Sequence, residues 1–362
     1  MIRIIIFGAG KIGVTLAQIL SQFDYHICLS DEKLDPARHH FGELLPKNIE
    51  LIQLNINDEA AILDLAKKSK ATALISCLPY FCNPVIARLA QKLQLAYFDL
   101  TEDVATVELI DSLAKIGKNA YVPQCGVAPG LINIIASDLI KKFDEAIDVQ
   151  LRCGALPVSS SNALGYALTW SVDGLINEYG NPCQALINHV VKEVAPLEDL
   201  EEIQIDGANY EAFNTSGGAG SLVTTYQEKA KNLNYKTIRY AGHCDRMRFL
   251  MKGLNLNEHR DILKQILLEA LPHTIEDVVL VYVAVSGLEH KKLTEKTFIK
   301  KYYPKKIASL HYSAIQMVTA TSAAVAVDLV LNNSQKYQGR VKQEDFSLEM
   351  ILQNRVAAYL NE

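Results

Sequence analysis

MIRIIIFGAGKIG, residues 1–13, decides the fold. A run of branched apolar residues breaks at Gly8, Gly10 and Gly13, and helical periodicity begins immediately, over Lys11–Ser21. The pattern GxGxxG on its own recurs by chance. Here it follows a strand, opens a helix, and lies in a βαβ unit whose second strand, Tyr25–Ser30, runs into Asp31. Together these conditions make the dinucleotide fingerprint. Gly8 allows the tight turn, Gly10 lets the backbone approach a pyrophosphate, and Gly13 lets the helix pack closely on the strand. The N–H groups and the dipole at the helix start, where Lys11 and Ile12 stand, then hold the diphosphate. A P-loop is excluded, because GxxxxGK[ST] is absent.

Asp31 lies 21 residues after Gly10, where a carboxylate accepts from both ribose hydroxyls of NAD. It would repel a 2′-phosphate by up to about 4 kcal/mol at ~4 Å and an effective dielectric near ~20. Lys33 and Arg38 soften that preference without reversing it, so NAD is expected over NADP. Asn55 and Asp58, after the third strand, lie where adenine contacts are made, and they equally suit the cap of the next helix. The fourth strand ends in SCLPYFCNP, which puts Cys77, Leu78 and Pro79 at the carboxyl edge of the sheet, where ligands bind. In VPQCGVAPGLIN (residues 122–133), Gly126 and Gly130 bracket Ala128 and Pro129. Pro129 suits the first turn of the following helix, with the amides of Gly126 and Ala128 toward the nicotinamide end.

Strand-like and helix-like segments alternate through the first 125 residues, implying a doubly wound parallel sheet, a Rossmann α/β domain over 1–124. The texture then changes. Ile147–Cys153, Ile203–Ile205, Tyr210–Phe213, Lys236–Tyr240, Asp277–Val285 and Lys292–Tyr302 read as strands. Leu164–Tyr179, Gly220–Ala230 and Cys244–Met251 read as helices. A mixed α/β domain over 125–310 follows, expected to form the second wall of the active site and part of a dimer interface. The small-residue helix 311–332 and the C-terminal segment pack back on the first domain.

At 362 residues, two domains are expected. The net charge of −5 and scattered cations give no footprint for nucleic acid. No apolar stretch is expected to span a membrane, and the start leaves no room for a signal peptide, so the chain is read as cytoplasmic. Its seven cysteines form no CxxC pair and are read as free thiols, with Cys153 a small buried hydrophobe. The nine histidines show no metal-ligand spacing, and no metal is expected. In the second domain, polar groups gather at Tyr166, Trp170 and Ser171, at Asn214–Ser216, and at Arg239 and His243. Arg239 reads either as a forked clamp for a carboxylate or as half of a structural ion pair. Trp170 reads as core or pocket. His243 is poised to titrate near neutrality, or caps a helix.

GAGKIG, SCLPYFCNP, YFDLTED, QCGVAPGL, CGALP, LTWSVDGLINEY, EAFNTSGG and TIRYAGH, in this order, resemble the saccharopine dehydrogenase-like family, and lysine 6-dehydrogenases in particular. The resemblance implies NAD(P)-dependent chemistry at a C–N bond of an amino-acid or polyamine substrate. In that family Tyr80 falls near substrate and nicotinamide, Arg239 on a carboxylate anchor, and Trp170 on a pocket tryptophan. APGL stands in place of the aspartate-bearing loop of saccharopine reductases. Trp170-Ser171-Val172-Asp173 replaces a tryptophan-serine-proline-arginine pattern, and Ala241 stands where proline is usual. Asp173 for a cation changes the charge near the pocket and favours a more cationic substrate.

The leading expectation is therefore oxidation of the L-lysine ε-amine to the semialdehyde, in a homodimer. The amine must first lose a proton, which requires a general base: His243, then Tyr80, then Glu102. Tyr166 joins Arg239 and Trp170 as substrate-binding. A saccharopine or carboxynorspermidine type secondary-amine enzyme is the alternative. It would need a second carboxylate anchor, for which Arg152 and Arg246 are the candidates. A non-catalytic NAD-binding sensor is the reading of another class.

Overall fold

The computed structural model describes residues 2–361, which fall into two compact units. The first comprises the residues up to Gly130, Lys305–Tyr312 and those from Gln316 onward; the second comprises Leu131–Pro304 with Ser313–Ile315.

In the first unit, strands and helices alternate: β1 (Ile2–Phe7), α1 (Lys11–Leu20), β2 (Tyr25–Asp31), α2 (Asp35–Phe41), β3 (Ile49–Gln53), α3 (Glu59–Ser69), β4 (Ala73–Ser76), α4 (Asn83–Leu93), β5 (Ala96–Asp99), α5 (Val104–Ala114) and β6 (Ala120–Val122). All strands pair in parallel, in the order β3-β2-β1-β4-β5-β6, and Gly339–Arg340 adds a seventh beside β6. The order reverses between β1 and β4, whose carboxyl ends therefore open the crevice where such sheets bind ligands. Ile4, Ile5, Ile6 and Phe7 are fully buried, which is why β1 reads as a continuous apolar run rather than an alternating one. The expected strand ends agree to within two residues. The short helix α2 goes unread because its DPARHHF sequence is mostly polar.

The helix Ala314–Asn332 corrects one expectation. Its 19 residues and mean hydropathy of 1.7 are long and apolar enough to cross a membrane, yet 83% of its most apolar window is buried inside the protein. Within the same unit its Asp328 accepts hydrogen bonds from Tyr25 Oη (2.8 Å) and from Asn354 and Arg355 of the C-terminal segment.

The second unit contains α6 (Leu131–Ile140), β7 (Glu145–Pro157), α7 (Val172–Gly180), β8 (Cys183–Ile187), β9 (Val190–Val194), β10 (Glu201–Ile205), β11 (Ala208–Asn214), α8 (Leu222–Thr225), β12 (Ala230–Arg239), α9 (His243–Arg248), α10 (Arg260–Ala270), β13 (Asp277–Glu289) and β14 (Lys292–Tyr302). Its mixed sheet runs β10-β11-β12-β7-β13-β14, with the β8–β9 hairpin attached to β12. Of three expected helices, two are corrected. Residues 164–171 are irregular, because Gly165 takes a left-handed φ of +60° and the Ser171 hydroxyl caps α7 by accepting from Gly174 N. Only four residues of the expected 220–230 helix are helical, since Ala230 already pairs with Ala146 of β7. The third helix starts at His243 and passes into a π-turn, Phe249–Gly253.

Candidate active site

The glycine loop of the first unit is shaped by close approach. At Gly8, with φ +100°, a Cβ would come within 2.8 Å of the Cys77 carbonyl, and at Gly13 within 1.8 Å of the Gly8 carbonyl. Gly10 differs: its Cβ position has no atom within 4 Å, and as N-cap of α1 it brings no side-chain cap. A helix start without a side-chain cap and with open space at Gly10 fits a diphosphate. Asp31 ends β2 with Oδ2 accepting from Ala9 N (2.7 Å) and Oδ1 from Lys33 N (3.0 Å), so its carboxylate lies against the glycine loop. Of the two groups left open after the third strand, Asp58 caps α3 through Ala61 N, while Asn55 Oδ1 accepts from Asn57 N.

At the same carboxyl edge, Cys77, Leu78 and Pro79 follow β4, with Cys77 N donating to Phe7 O (2.7 Å). Burial, and then Asp99, pushes the Cys77 thiol up to about 12, which keeps it protonated near neutrality. Tyr80 opens a 3-10 turn, edge-on to the exposed ring of Phe81. Glu102 is half-buried in the loop after β5. Gly126 and Val127 both bridge to Gly130. Pro129 is not the first helical residue as expected, because Gly130, at φ +138°, intervenes before α6 begins at Leu131.

Asp99 was not among the expected site residues. It is fully buried at the end of β5; Oδ1 accepts from the backbone N–H groups of Thr101 and Gln124 (both 3.0 Å), and Oδ2 from Tyr97 Oη (2.7 Å). Burial raises its pKa, against the pull of those donors. It ties the loop after β5 to Gln124, whose φ is +67°, at the entry to the Gly126 loop.

The second unit holds a buried cage around Arg239, which is 2% exposed. Its Cζ lies 5.0 Å from the centre of the Tyr166 ring and 5.8 Å from that of Tyr179. Arg239 Nε donates to Tyr179 Oη (2.8 Å) and Nη1 to Ile238 O (2.8 Å). Trp170 Nε1 donates to Tyr166 Oη (2.9 Å). His243 is stacked on Phe213, with Nε2 3.1 Å from Tyr179 Oη and Nδ1 2.8 Å from Leu164 O. Burial, then the charge of Arg239, pushes the imidazole down to about 3. Among the described residues, no carboxylate comes within salt-bridge distance of Arg239.

Comparison with known proteins meets this geometry at both ends. Residues 4–122 match the saccharopine dehydrogenase NADP binding domain, and residues 126–360 match the saccharopine dehydrogenase C-terminal domain. The chain belongs to the saccharopine dehydrogenase family. Its first unit is thus a nicotinamide-dinucleotide-binding domain, and NADP in that domain's name stands against the preference for NAD expected from Asp31. The mitochondrial alpha-aminoadipic semialdehyde synthase of Bos taurus is 23% identical over 83% of this chain and 33% of its own. The saccharopine dehydrogenase [NADP(+), L-glutamate-forming] of Pyricularia oryzae is 25% identical over 74% of this chain and 60% of its own. The chain therefore spans about a third of the mammalian relative. The saccharopine dehydrogenase (L-Glu forming) of Saccharomyces cerevisiae superposes with a TM-score of 0.76 at 14% identity, covering 97% of this chain and 95% of that one, a likeness of fold.

Within this saccharopine dehydrogenase fold, the expected residues divide. Gly8, Gly10, Lys11, Ile12, Gly13 and Asp31 meet at one loop, and Tyr166, Trp170, Arg239 and His243 meet in one cage. Three expectations need correction. His243 does not titrate near neutrality, because it is buried beside a cation and both ring nitrogens are engaged. Arg152 is not open as a second carboxylate anchor: it is 1% exposed, ion-paired to Glu201 and bonded to Asn234 Oδ1 (2.6 Å). Asp173 adds no uncompensated charge, because Lys264 of α10 pairs with it at 2.8 Å. Sequence reasoning missed Tyr179 and Asp99. The signal for Asp99 was present: Tyr97 and Asp99 alternate onto one face of an otherwise apolar strand.

Proposed function

We propose that the chain is a nicotinamide-dependent oxidoreductase acting on a C–N bond of an amino acid, most simply the ε-amine of L-lysine. One observation carries the reading: Arg239 is a buried guanidinium to which no carboxylate of the described residues is hydrogen-bonded, Glu178 acting on it only through its charge. Burying an unpaired cation is costly, and such a group in a structured site calls for an anionic ligand. A substrate α-carboxylate supplies it, held through the planar fork of arginine. Tyr166 and Trp170 shape the face against which the substrate's stem lies.

The bound nicotinamide supplies the hydride acceptor. The chain's own task is to bind, orient and deprotonate. The glycine loop holds the diphosphate on the α1 amides, and Asp31, with Glu32 beside it, disfavours a 2′-phosphate, so NAD is the dinucleotide proposed. The amine must be neutral before hydride leaves its carbon. His243 is excluded as acceptor by its engaged nitrogens. That leaves Tyr80 and Glu102 of the first unit as the candidates for the base.

The names of the relatives favour a second reading, a secondary amine of the saccharopine type. That substrate carries more than one carboxylate, and Arg152, a candidate second anchor, is bound to Glu201. Reduced dinucleotide formation, followed by absorbance with L-lysine, ornithine, 1,5-diaminopentane and saccharopine, separates the readings. Turnover of L-lysine is expected. Turnover of saccharopine alone would replace the first reading by the second, and NAD binding without turnover of any amine would make the chain a sensor.

A further inference from the structure

With the His243 imidazole kept neutral by burial beside a cation, the groups around Arg239 admit one arrangement of protons. Arg239 Nε can only donate, so Tyr179 Oη accepts from it and its own hydrogen goes to His243 Nε2. The Leu164 carbonyl can only accept, so His243 carries its ring proton on Nδ1. The chain of donors therefore runs one way, from Arg239 through Tyr179 and His243 to Leu164. Its far end is backbone of the irregular stretch before α7, and its near end is the guanidinium. Nη1 is held separately by the Ile238 carbonyl, and the Tyr166 ring lies beneath the group with Trp170 on its hydroxyl. With Nε and Nη1 fixed, Nη2 is the guanidinium nitrogen that makes no hydrogen bond to a described residue.

We infer that Tyr179 and His243 are positioning residues that set selectivity for amino acids over plain amines, by holding Arg239 in the one orientation that presents Nη2 to a carboxylate. This rests on the reading of Arg239 as the carboxylate anchor. Neither residue exchanges protons with substrate. An arginine left to rotate would have to be ordered anew by each substrate, and that cost appears as weaker binding rather than slower chemistry.

The test compares Tyr179→Phe and His243→Gln with wild type, using L-lysine and 1,5-diaminopentane as probes. Each variant is expected to raise the KM for L-lysine about tenfold. The lysine-to-diamine ratio of kcat/KM falls by the same factor, and kcat moves much less. The wild-type pH profile of kcat keeps its limbs in both variants. A hundredfold loss of kcat in His243→Gln with loss of a limb would make His243 the base and overturn the inference. Wild-type KM in both variants would overturn it too. Arg239→Ala separates the two claims: if it also leaves KM unchanged, the anchor reading itself has failed. A substrate-independent arm covers variants that do not fold. In the ¹⁵N spectrum of wild-type protein, His243 is expected to be neutral and Nδ1-protonated from pH 5 to 8, and titration in that window or an Nε2-protonated ring contradicts the inference.

Discussion

In the proposed reading the glycine loop of the first unit and the arginine cage of the second both present donors to an anion, and they are built by opposite means. The loop uses backbone. Its donors are amides at a helix start, and its shape comes from side chains that are missing at Gly8, Gly10 and Gly13. The cage uses side chains from α7, β11, β12 and α9 around one cation. Backbone sites depend on local sequence order, which a short motif records. Side-chain sites depend on tertiary packing, which brings Tyr166, Tyr179, Arg239 and His243 together from segments far apart in the chain.

The comparison can be broken most severely at Gly13. Gly13→Ala places a methyl 1.8 Å from the Gly8 carbonyl, and a loss of about 3 kcal/mol or more of unfolding free energy is expected in denaturant titrations. Gly10→Ala is the matched control. Its Cβ enters open space, so stability is expected to hold while dinucleotide affinity in calorimetry drops at least about tenfold. Equal destabilisation by both would mean that the open space at Gly10 is not a ligand cradle.

Asp31→Ser sharpens the account of the loop. Removing the carboxylate proposed to repel a 2′-phosphate is expected to shift the NAD-to-NADP ratio of kcat/KM by about a hundredfold toward NADP, within the repulsion allowed at such a distance. An unchanged ratio would place dinucleotide choice elsewhere. His243 tests the cage. Its folded value of about 3 lies below the ordinary 6.5, so between these values the unfolded chain binds the extra proton. Stability from this group is complete above about 6.5 and is lost as pH falls toward 3, at up to about 1.4 kcal/mol per pH unit. His243→Gln is expected to flatten that slope by one proton in denaturant titrations at several pH values. Asp173→Asn is the smallest case. Its pair with Lys264 is partly exposed, so a change within about 1 kcal/mol is expected, with preference among amines unaltered.

The parallel sheet was legible because strands buried on both faces are apolar throughout and the connecting helices are amphipathic. Helix boundaries in the second unit were not legible. Residues 164–171 have a helical composition, and only the left-handed Gly165 and the cap at Ser171 stop the helix. Ala230 reads as the end of a helix until β7 claims it as a strand partner. Among site residues, Arg239 could be named from its strand and motif, while its state could not: an arginine in a sequence looks the same whether an acid pairs with it or an aromatic cage surrounds it. Tyr179 closes the LTWSVDGLINEY stretch, but as a residue it reads only as one aromatic at the end of a helix.

The central claim is that Arg239 holds a substrate carboxylate, and the direct measurement is the ratio of kcat/KM for L-lysine to that for 1,5-diaminopentane, in wild type and in Arg239→Ala. The two substrates differ only by the carboxylate. A wild-type ratio of at least about a hundred, falling to near one in the variant, is expected from the removal of a buried charge pair. The same ratio in both proteins would contradict the account.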